Sequence, residues 1–155
     1  MAKPESTADS DSVILIDGSS YVYRAYHALP PLTTSSGQPT GAVRGVTTMV
    51  MRILEDHPNS PIGMIFDAKG DTFRHDMYKE YKANRPPMPD DLRPQIQPIY
   101  DIVEALGIKI FVVDNVEADD VIGTLAKQAE EKGISTVIST GDKDLAQLVT
   151  KNIKL

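Results

Sequence analysis

Short apolar runs that each end at an aspartate are the feature that most restricts how this chain can fold. Four such runs occupy residues 13–16, 62–66, 108–113 and 135–139, and an aspartate follows each of them within three residues. The runs are too short for helices but have the length of buried strands. The closing residues 152–155 are a candidate for a fifth strand. Strands that are apolar on both faces are typical of parallel sheets whose two faces are covered.

The segments between these runs repeat apolar side chains every three or four positions, which is typical of amphipathic helices. The repeats cover 42–55, 96–106 and 121–129, and a shorter one starts at Leu145. Strands that alternate with helices at this spacing favour parallel pairing with crossover helices. The sequence therefore predicts an α/β fold with an open, mostly parallel sheet and helices on both faces.

Length, composition and charge exclude several classes of protein. The chain has 155 residues, with 16 Lys and Arg against 22 Asp and Glu, and a net charge of −6. This acidity argues against bulk attraction to nucleic acid or anionic membranes, although it leaves a local basic patch open. There is no cysteine for disulfides or thiolate metal sites, no stretch apolar enough to span a membrane and no signal peptide. We expect a cytoplasmic protein, with a disordered tail over 1–12 and one domain over 13–155.

Carboxylates follow four of the predicted strands. They are Asp17, Asp67, Asp142 and Asp144 directly after strands, and Glu117, Asp119 and Asp120 between the third strand and the next helix. Because the carboxyl ends of parallel strands meet at one edge of a sheet, we expect these acids to gather there. Two carboxylates about 4 Å apart repel by about 4 kcal/mol at an effective dielectric constant of 20, so the cluster requires cations. Oxygen donors without cysteine favour Mg²⁺ over zinc.

Each acid also has a structural explanation when it is taken alone. Asp17, which precedes a glycine, could be a turn residue, and Asp142 could be a helix cap. Asp119 and Asp120 could complement the dipole of the helix that they begin. The recurrence of acids at four strand ends favours a shared metal site, because buried strands have no structural need for them. Asp114, which also follows a strand, is interpreted as a turn residue.

A basic segment lies between the second and third strands, at residues 71–93. Five of its residues share one helical arc of about 100°: Arg74, Tyr78, Tyr81, Lys82 and Arg85. Cations interleaved with aromatic rings suit a nucleic-acid strand, because phosphates bind the cations and bases stack on tyrosine. A solvated amphipathic helix is the alternative for this segment alone. A second aromatic and basic cluster comprises Tyr21, Tyr23, Arg24 and Tyr26.

Five motifs of the chain, in order, resemble the 5′-nuclease domain of bacterial DNA polymerase I, which is grouped with the flap endonucleases on a PIN-like fold. They are IDGSSY at 16–21 with YRAYH at 23–27, FDAKG at 66–70, YKANRPPMP at 81–89, VEADDVIG at 116–123 and STGDKD at 139–144. The resemblance runs from about Val13 to the end of the chain.

The resemblance implies a phosphodiesterase that uses two divalent ions, Mg²⁺ or Mn²⁺. Asp17, Asp67, Glu117 and Asp119 would serve the first ion, and Asp120, Asp142 and Asp144 would lie at or near the second. One ion would lower the pKa of a water nucleophile, and the other would stabilise the leaving 3′-oxygen. In-line attack would leave a 5′-phosphate on the released fragment.

The family's helical arch corresponds to about 71–93. There Lys82 and Arg85 match the basic residues that grip the phosphate during catalysis, and Arg24 and Arg74 are weaker matches. The implied substrates are DNA with a 5′ flap, nick or gap and RNA primers paired with DNA, in replication and repair. The resemblance also implies a polymerase domain as a partner in a longer protein.

The family also continues past the equivalent of Leu155 with further aspartates and a helix–turn–helix-like element that holds the duplex. We therefore expect a truncated N-terminal part in which this C-terminal, duplex-binding element is absent. One alternative is a catalytically incomplete fragment that binds nucleic acid. A Mg²⁺-dependent phosphatase or phosphotransfer domain is a second alternative, weakened by the absence of Asp-X-Asp after the first strand.

Overall fold

One parallel sheet organises the domain. The computed structural model describes residues 12–28, 32–68, 88–141 and 143–155, apart from the side chains of residues 143 and 144. Five strands lie in the order β3-β2-β1-β4-β5, and every neighbouring pair is parallel. They are β1 (Ser12–Asp17), β2 (Ile62–Asp67), β3 (Lys109–Val113), β4 (Ser135–Ser139) and β5 (Ile153–Lys154).

Helices connect these strands. The α-helices of the described residues are α1 (Gly18–Ala28), α2 (Gly41–Asp56), α3 (Ile96–Ala105) and α4 (Ala118–Glu131). A 3₁₀ turn, Arg93–Gln95, leads into α3, and another, Lys143–Leu148, lies between β4 and β5. Within the described residues, no helix combines the length and the apolarity needed to cross a lipid bilayer.

The sheet separates two hydrophobic cores. Ile14 and Ile16 of β1 pack under α1, α2 and α3, whereas Leu15 packs with Ile65 and Ile138 under α4. Successive side chains of a strand point to opposite faces, so both faces of β1 need apolar residues. The predicted α/β fold, with a parallel sheet and helices on both faces, is confirmed.

The start of α1 differs from the sequence-based interpretation. The alternative of a turn at Asp17-Gly18 is wrong, because the helix begins directly at Gly18. A Cβ atom on Gly18 would lie 2.7 Å from the Phe66 ring and 2.8 Å from the carbonyl oxygen of Ile65. The glycine therefore allows the helix to start in close contact with β2, for which a local pattern gives no signal.

Three other boundaries also differ. Ser12, placed in the disordered tail by the sequence, belongs to β1 and pairs with Ser135 of β4. The short last helix forms as a 3₁₀ turn. Residues 88–93, assigned to the arch, include Leu92, which is fully buried, so this part packs on the domain. The remainder of the predicted arch lies outside the described residues, as do residues 1–11.

Candidate active site

Asp17 ends β1 and is a buried carboxylate, only 4% exposed. Its Oδ1 accepts a hydrogen bond from the backbone N–H of Ser20 at 3.3 Å, and its Oδ2 accepts one from the Thr140 hydroxyl at 2.8 Å. A buried charge is costly unless it is hydrogen-bonded, and these donors meet that requirement. The side chain is thereby held in one orientation between the first turn of α1 and the end of β4.

Asp67 ends β2 and is exposed. Its Oδ1 accepts a hydrogen bond from the backbone N–H of Ala118 at 2.7 Å, and its own N–H donates to the Ser19 hydroxyl at 3.3 Å. Ala118 is the first residue of α4, where helical N–H groups have no partner within the helix. Asp67 therefore acts as a cap for a helix that begins 51 residues later in the chain, and it lies next to the acids at that helix start.

The acids at the start of α4 also take part in the N-terminal capping of this helix. Glu117 has extended backbone dihedrals, and its N–H donates to Oδ2 of Asp120 at 3.0 Å. Asp119 and Asp120 lie in the first turn, where negative charge interacts favourably with the helix dipole. The dipole interaction given as the structural alternative for Asp119 and Asp120 is compatible with these positions. Asp120 and Asp67 in addition cap the helix, through the N–H groups of Glu117 and Ala118 respectively.

The donor set suits a hard divalent cation, because every predicted ligand is a carboxylate and Asp17 and Asp67 are held by neighbouring donors. In the parts of the chain that the structure describes, no three Asp, Glu or His side chains come together closely enough to hold one metal ion. Asp142 and the side chain of Asp144 lie outside the described residues. The ligand set of seven acids stays a prediction.

Hydroxyl groups that the sequence interpretation missed surround the strand-end aspartates. Besides Ser19 and Thr140, Ser20 accepts a hydrogen bond from the N–H of Gly141 at 2.8 Å. The hydroxyl of Tyr21 is hydrogen-bonded to that of Ser139 at the end of β4. The available signal was the clustering of serine and threonine immediately beside the aspartates, in the segments 18–20 and 139–141.

Tyr21 links the second aromatic cluster to this edge. The pKa of its phenol is raised, mainly by burial and also by the charge of Asp17. The hydrogen bond to Ser139 and the charge of Arg24 lower it in part. Arg24 and Asp17 therefore both lie close enough to act on one ring. Arg24 itself is exposed on α1, so its position is compatible with the predicted contact to nucleic acid.

The other tyrosines of that cluster have different environments. Tyr23 is 40% exposed, whereas the hydroxyl of Tyr26 donates to Oδ1 of Asp91 at 2.6 Å. Tyr100, which sequence reasoning did not select, packs against Phe66 with the ring centroids 4.7 Å apart. Burial raises its pKa, as does the charge of Asp67. The predicted nucleic-acid and catalytic residues of the basic segment lie outside the described residues: Arg74, Tyr78, Tyr81, Lys82 and Arg85.

Comparisons with known proteins agree with this geometry. The family described as 5′-3′ exonuclease, N-terminal resolvase-like domain, matches residues 12–155. The chain is 58% identical to DNA polymerase I of Pseudomonas aeruginosa over 143 residues, which are 92% of this chain and 16% of the polymerase. It is 47% identical over 140 residues to a 5′-3′ exonuclease of Buchnera aphidicola subsp. Baizongia pistaciae, covering 90% of this chain and 46% of the exonuclease. The chain thus spans less than half the length of either relative.

Solved structures show the same fold at low identity. A bacteriophage T5 flap endonuclease, solved as a complex with DNA and metal ions, has a TM-score of 0.71 and 12% identity, covering 93% of this chain and 54% of that chain. The T5 5′-exonuclease with bound zinc gives a TM-score of 0.67 at 17% identity, with the same coverage. At these identities the likeness establishes the fold, and the function has to be argued from the residues.

Proposed function

Because the chain belongs to the family of 5′-3′ exonuclease N-terminal, resolvase-like domains, we propose that it forms the catalytic part of a 5′-3′ exonuclease and flap endonuclease. Its substrates are DNA with a 5′ flap, nick or gap and RNA primers paired with DNA. Its setting is replication and repair of DNA in the cytoplasm, and a polymerase domain is its partner in a longer protein. The nuclease relatives support this proposal. So do the carboxylates at the carboxyl end of the sheet, which we call the acid edge.

The hydrogen bond between Ala118 and Asp67 is the observation that carries the proposal. It joins the end of β2 to the start of α4 and so places Asp67 beside the chain segment that bears Glu117 and Asp119. Asp17 is held at the neighbouring strand end. Carboxylates from separate elements thus lie at the same edge of the sheet, where a parallel α/β fold places its ligands.

The acids at this edge would hold two divalent cations, Mg²⁺ or Mn²⁺: Asp17, Asp67, Glu117 and Asp119 for one, and Asp120, Asp142 and Asp144 for the other. When bound, such ions supply an activated water and stabilise negative charge on a leaving oxygen. The protein contributes fixed carboxylate positions, because donors from α1, from Thr140 after β4 and from α4 restrict the rotation of Asp17 and Asp67. Lys82 and Arg85 would grip the phosphate, with Arg24, Arg74, Tyr78 and Tyr81 as further contacts to nucleic acid.

Cleavage of a labelled 5′-flap DNA in Mg²⁺ or Mn²⁺ tests the proposal through Asp67→Asn. Asparagine keeps an oxygen that accepts the Ala118 N–H, so the helix cap is retained while the charge is lost. We expect a loss of about 100-fold or more in cleavage rate, beyond the range of an outer-shell substitution. Asp114→Asn is the matched control, because Asp114 is exposed and follows β3 at the same edge. It should leave the rate within about twofold of the wild-type rate, as expected for a residue without a catalytic contact.

No cleavage by the wild-type chain at high enzyme concentration in Mn²⁺ would contradict the proposed activity. Equal rates for the wild type and Asp67→Asn would contradict the role of this carboxylate. One observation favours a second candidate, a domain that binds nucleic acid without cleaving it: no three acids converge within the described residues. Salt-dependent binding of flap DNA that survives loss of Asp17 and Asp67, without turnover, would support that candidate.

A further inference from the structure

A groove of about 500 Å³ lies between α1 and α2, on the face of the sheet opposite α4. Of the described residues, three arginines line it, Arg24 from α1 and Arg44 and Arg52 from α2, together with one carboxylate, Asp56. All three arginine side chains are exposed. The groove is therefore cationic on a chain whose net charge is −6. We call it the arginine groove.

Among the residues that the structure describes, ion pairing does not account for the three arginines. In the described ranges of the chain, none of them has a carboxylate within the 4.0 Å of an ion pair, whereas Arg93 pairs with Asp90 at 3.0 Å. Like charges that line one groove repel each other, and this repulsion disfavours the folded state. Guanidinium groups arranged in this way suit phosphate, because each can donate two parallel hydrogen bonds to its oxygens.

Tyr21 connects the arginine groove with the acid edge. This residue lines the groove, and its hydroxyl is hydrogen-bonded to Ser139 at the end of β4. Both Arg24 and Asp17 act electrostatically on its phenol. A polyanion in the groove would therefore lie close to the strand-end carboxylates.

The dimensions and lining of the groove favour a nucleic-acid backbone over unstacked bases. Arg44 and Arg52 are eight residues apart on α2, which corresponds to about 12 Å of helix. Phosphates of one B-DNA strand rise about 3.4 Å each, so this distance spans about three to four nucleotides. Sites for single strands use exposed aromatic rings for stacking. Among the described residues that line the groove, the aromatic one is Tyr21, which is only 5% exposed.

We propose that Arg24, Arg44 and Arg52 bind the phosphate backbone of one strand in the duplex part of the substrate, beside the cleavage edge. The inference rests on the proposed function and adds a duplex-binding surface to it. Contacts of this kind set the position of the duplex and carry no base specificity. They would hold the duplex at a site on this chain that is separate from the basic segment at 71–93.

Binding of a short blunt DNA duplex, followed by fluorescence anisotropy in EDTA at increasing salt, tests the proposal. The variant is Arg44→Gln with Arg52→Gln, which leaves Arg24 in place. Loss of two phosphate contacts should make the slope of log affinity against log salt shallower by about 1.8. The affinity advantage of the wild type should fall by about tenfold between about 50 mM and 200 mM salt, because electrostatic contacts are screened.

Lys127→Gln with Lys132→Gln is the matched control, since both lysines are exposed and lie in or just after α4, on the other face of the sheet. It makes the same change in net charge and should leave the slope unchanged. Arg44→Lys with Arg52→Lys should restore most of the slope, because a point charge also binds phosphate. Circular dichroism melting of each variant checks that these exposed substitutions leave the fold intact.

Equal slopes for the wild type and the glutamine variant would overturn the inference. An equal loss in the lysine control would also overturn it, because net charge alone would then explain the binding. A larger loss for a single strand than for the duplex would overturn the assignment to duplex, and so would an absence of duplex binding by the wild type. Flap cleavage by the wild type, measured separately in Mg²⁺, distinguishes failure of this inference from failure of the proposed function. If the wild type cleaves but the glutamine variant has the same salt slope as the wild type, the arginine groove alone is contradicted.

Discussion

The two strand ends that carry Asp17 and Asp67 differ in how the protein holds a carboxylate. Asp17 is 4% exposed and accepts hydrogen bonds from a side-chain hydroxyl and from the first turn of the helix that follows it. Asp67 is exposed and accepts a hydrogen bond from a helix that begins 51 residues later. The first carboxylate is part of the interior, whereas the second is a surface cap.

This difference shows that folding and chemistry overlap to different degrees at the two positions. Loss of the buried carboxylate leaves polar groups without a partner in a place that water does not readily reach. Loss of the exposed one removes a helix cap that water can partly replace. A substitution at Asp17 therefore changes stability and activity together. Asp67 is the better position at which to test the role of the carboxylate in activity alone.

The largest expected difference is in stability. Asp17→Ala should lower the free energy of unfolding by about 2–3 kcal/mol, because Thr140 and the N–H of Ser20 lose their carboxylate acceptor inside the domain. Asp67→Ala should lower it by about 1 kcal/mol, which is typical of a lost helix cap. Urea denaturation followed by circular dichroism measures both values under the same conditions.

Asp17→Asn and Asp67→Asn are the controls for this comparison, because each amide keeps one oxygen that can accept the original hydrogen bond. Both should lie closer to the wild type than the corresponding alanine variants. Equal losses for the two alanine variants would show that burial does not distinguish the two sites, and a larger loss at Asp67 would reverse the comparison.

Thr140→Val tests how far the orientation of Asp17 depends on its hydroxyl partner. Valine has a similar shape but cannot donate to Oδ2 of Asp17. Loss of such an outer partner should weaken binding of Mn²⁺ by about 10-fold to 100-fold, measured by isothermal titration calorimetry. Thr140→Ser should restore the affinity because it retains the hydroxyl. An affinity equal to that of the wild type would show that the remaining contacts of Asp17 suffice to orient it.

The strands and the strand-end acids could be predicted because their signals are local. In β2, an apolar run that ends at Asp67 is enough to indicate a buried strand with a carboxylate at its end. Helix α1 was missed because its buried face is short, with Tyr21, Val22 and Ala25, and because it starts at a glycine. The reason for that glycine is Phe66, far along the chain.

The hydrogen-bond partners of the acids could not be predicted, because they too lie far away in the sequence. The hydrogen bond between Thr140 and Asp17 joins residues 123 apart in sequence, and the hydroxyl of Thr140 gives no pattern by itself. The arginine groove also depends on the packing of α1 against α2. Arg44 and Arg52 are ordinary exposed helix residues in sequence, and only the packed helices bring them to the same groove as Arg24.

The smallest expected effect is on stability at alkaline pH, and it concerns the tyrosine near each aspartate: Tyr21 near Asp17 and Tyr100 near Asp67. Burial raises the pKa of both Tyr21 and Tyr100, and the charges of Asp17 and Asp67 respectively raise it further. A folded-state pKa above the unfolded value of about 10 means that the folded protein holds the phenolic proton more tightly. The stabilisation is therefore complete below about pH 10 and is lost as the pH rises through the folded-state pKa.

Tyr21→Phe and Tyr100→Phe should each flatten the decline of unfolding free energy above pH 10, since the titrating group is removed. Asp67→Asn should lower the pKa of Tyr100, observed as an earlier rise in phenolate absorbance, because a negative neighbour that opposes ionisation is gone. Tyr23→Phe, which removes the hydroxyl of an exposed ring on α1, is the control for the substitution itself. A Tyr100 titration that is unchanged in Asp67→Asn would show that the exposed carboxylate is screened by water, and would sharpen the contrast with the buried Asp17.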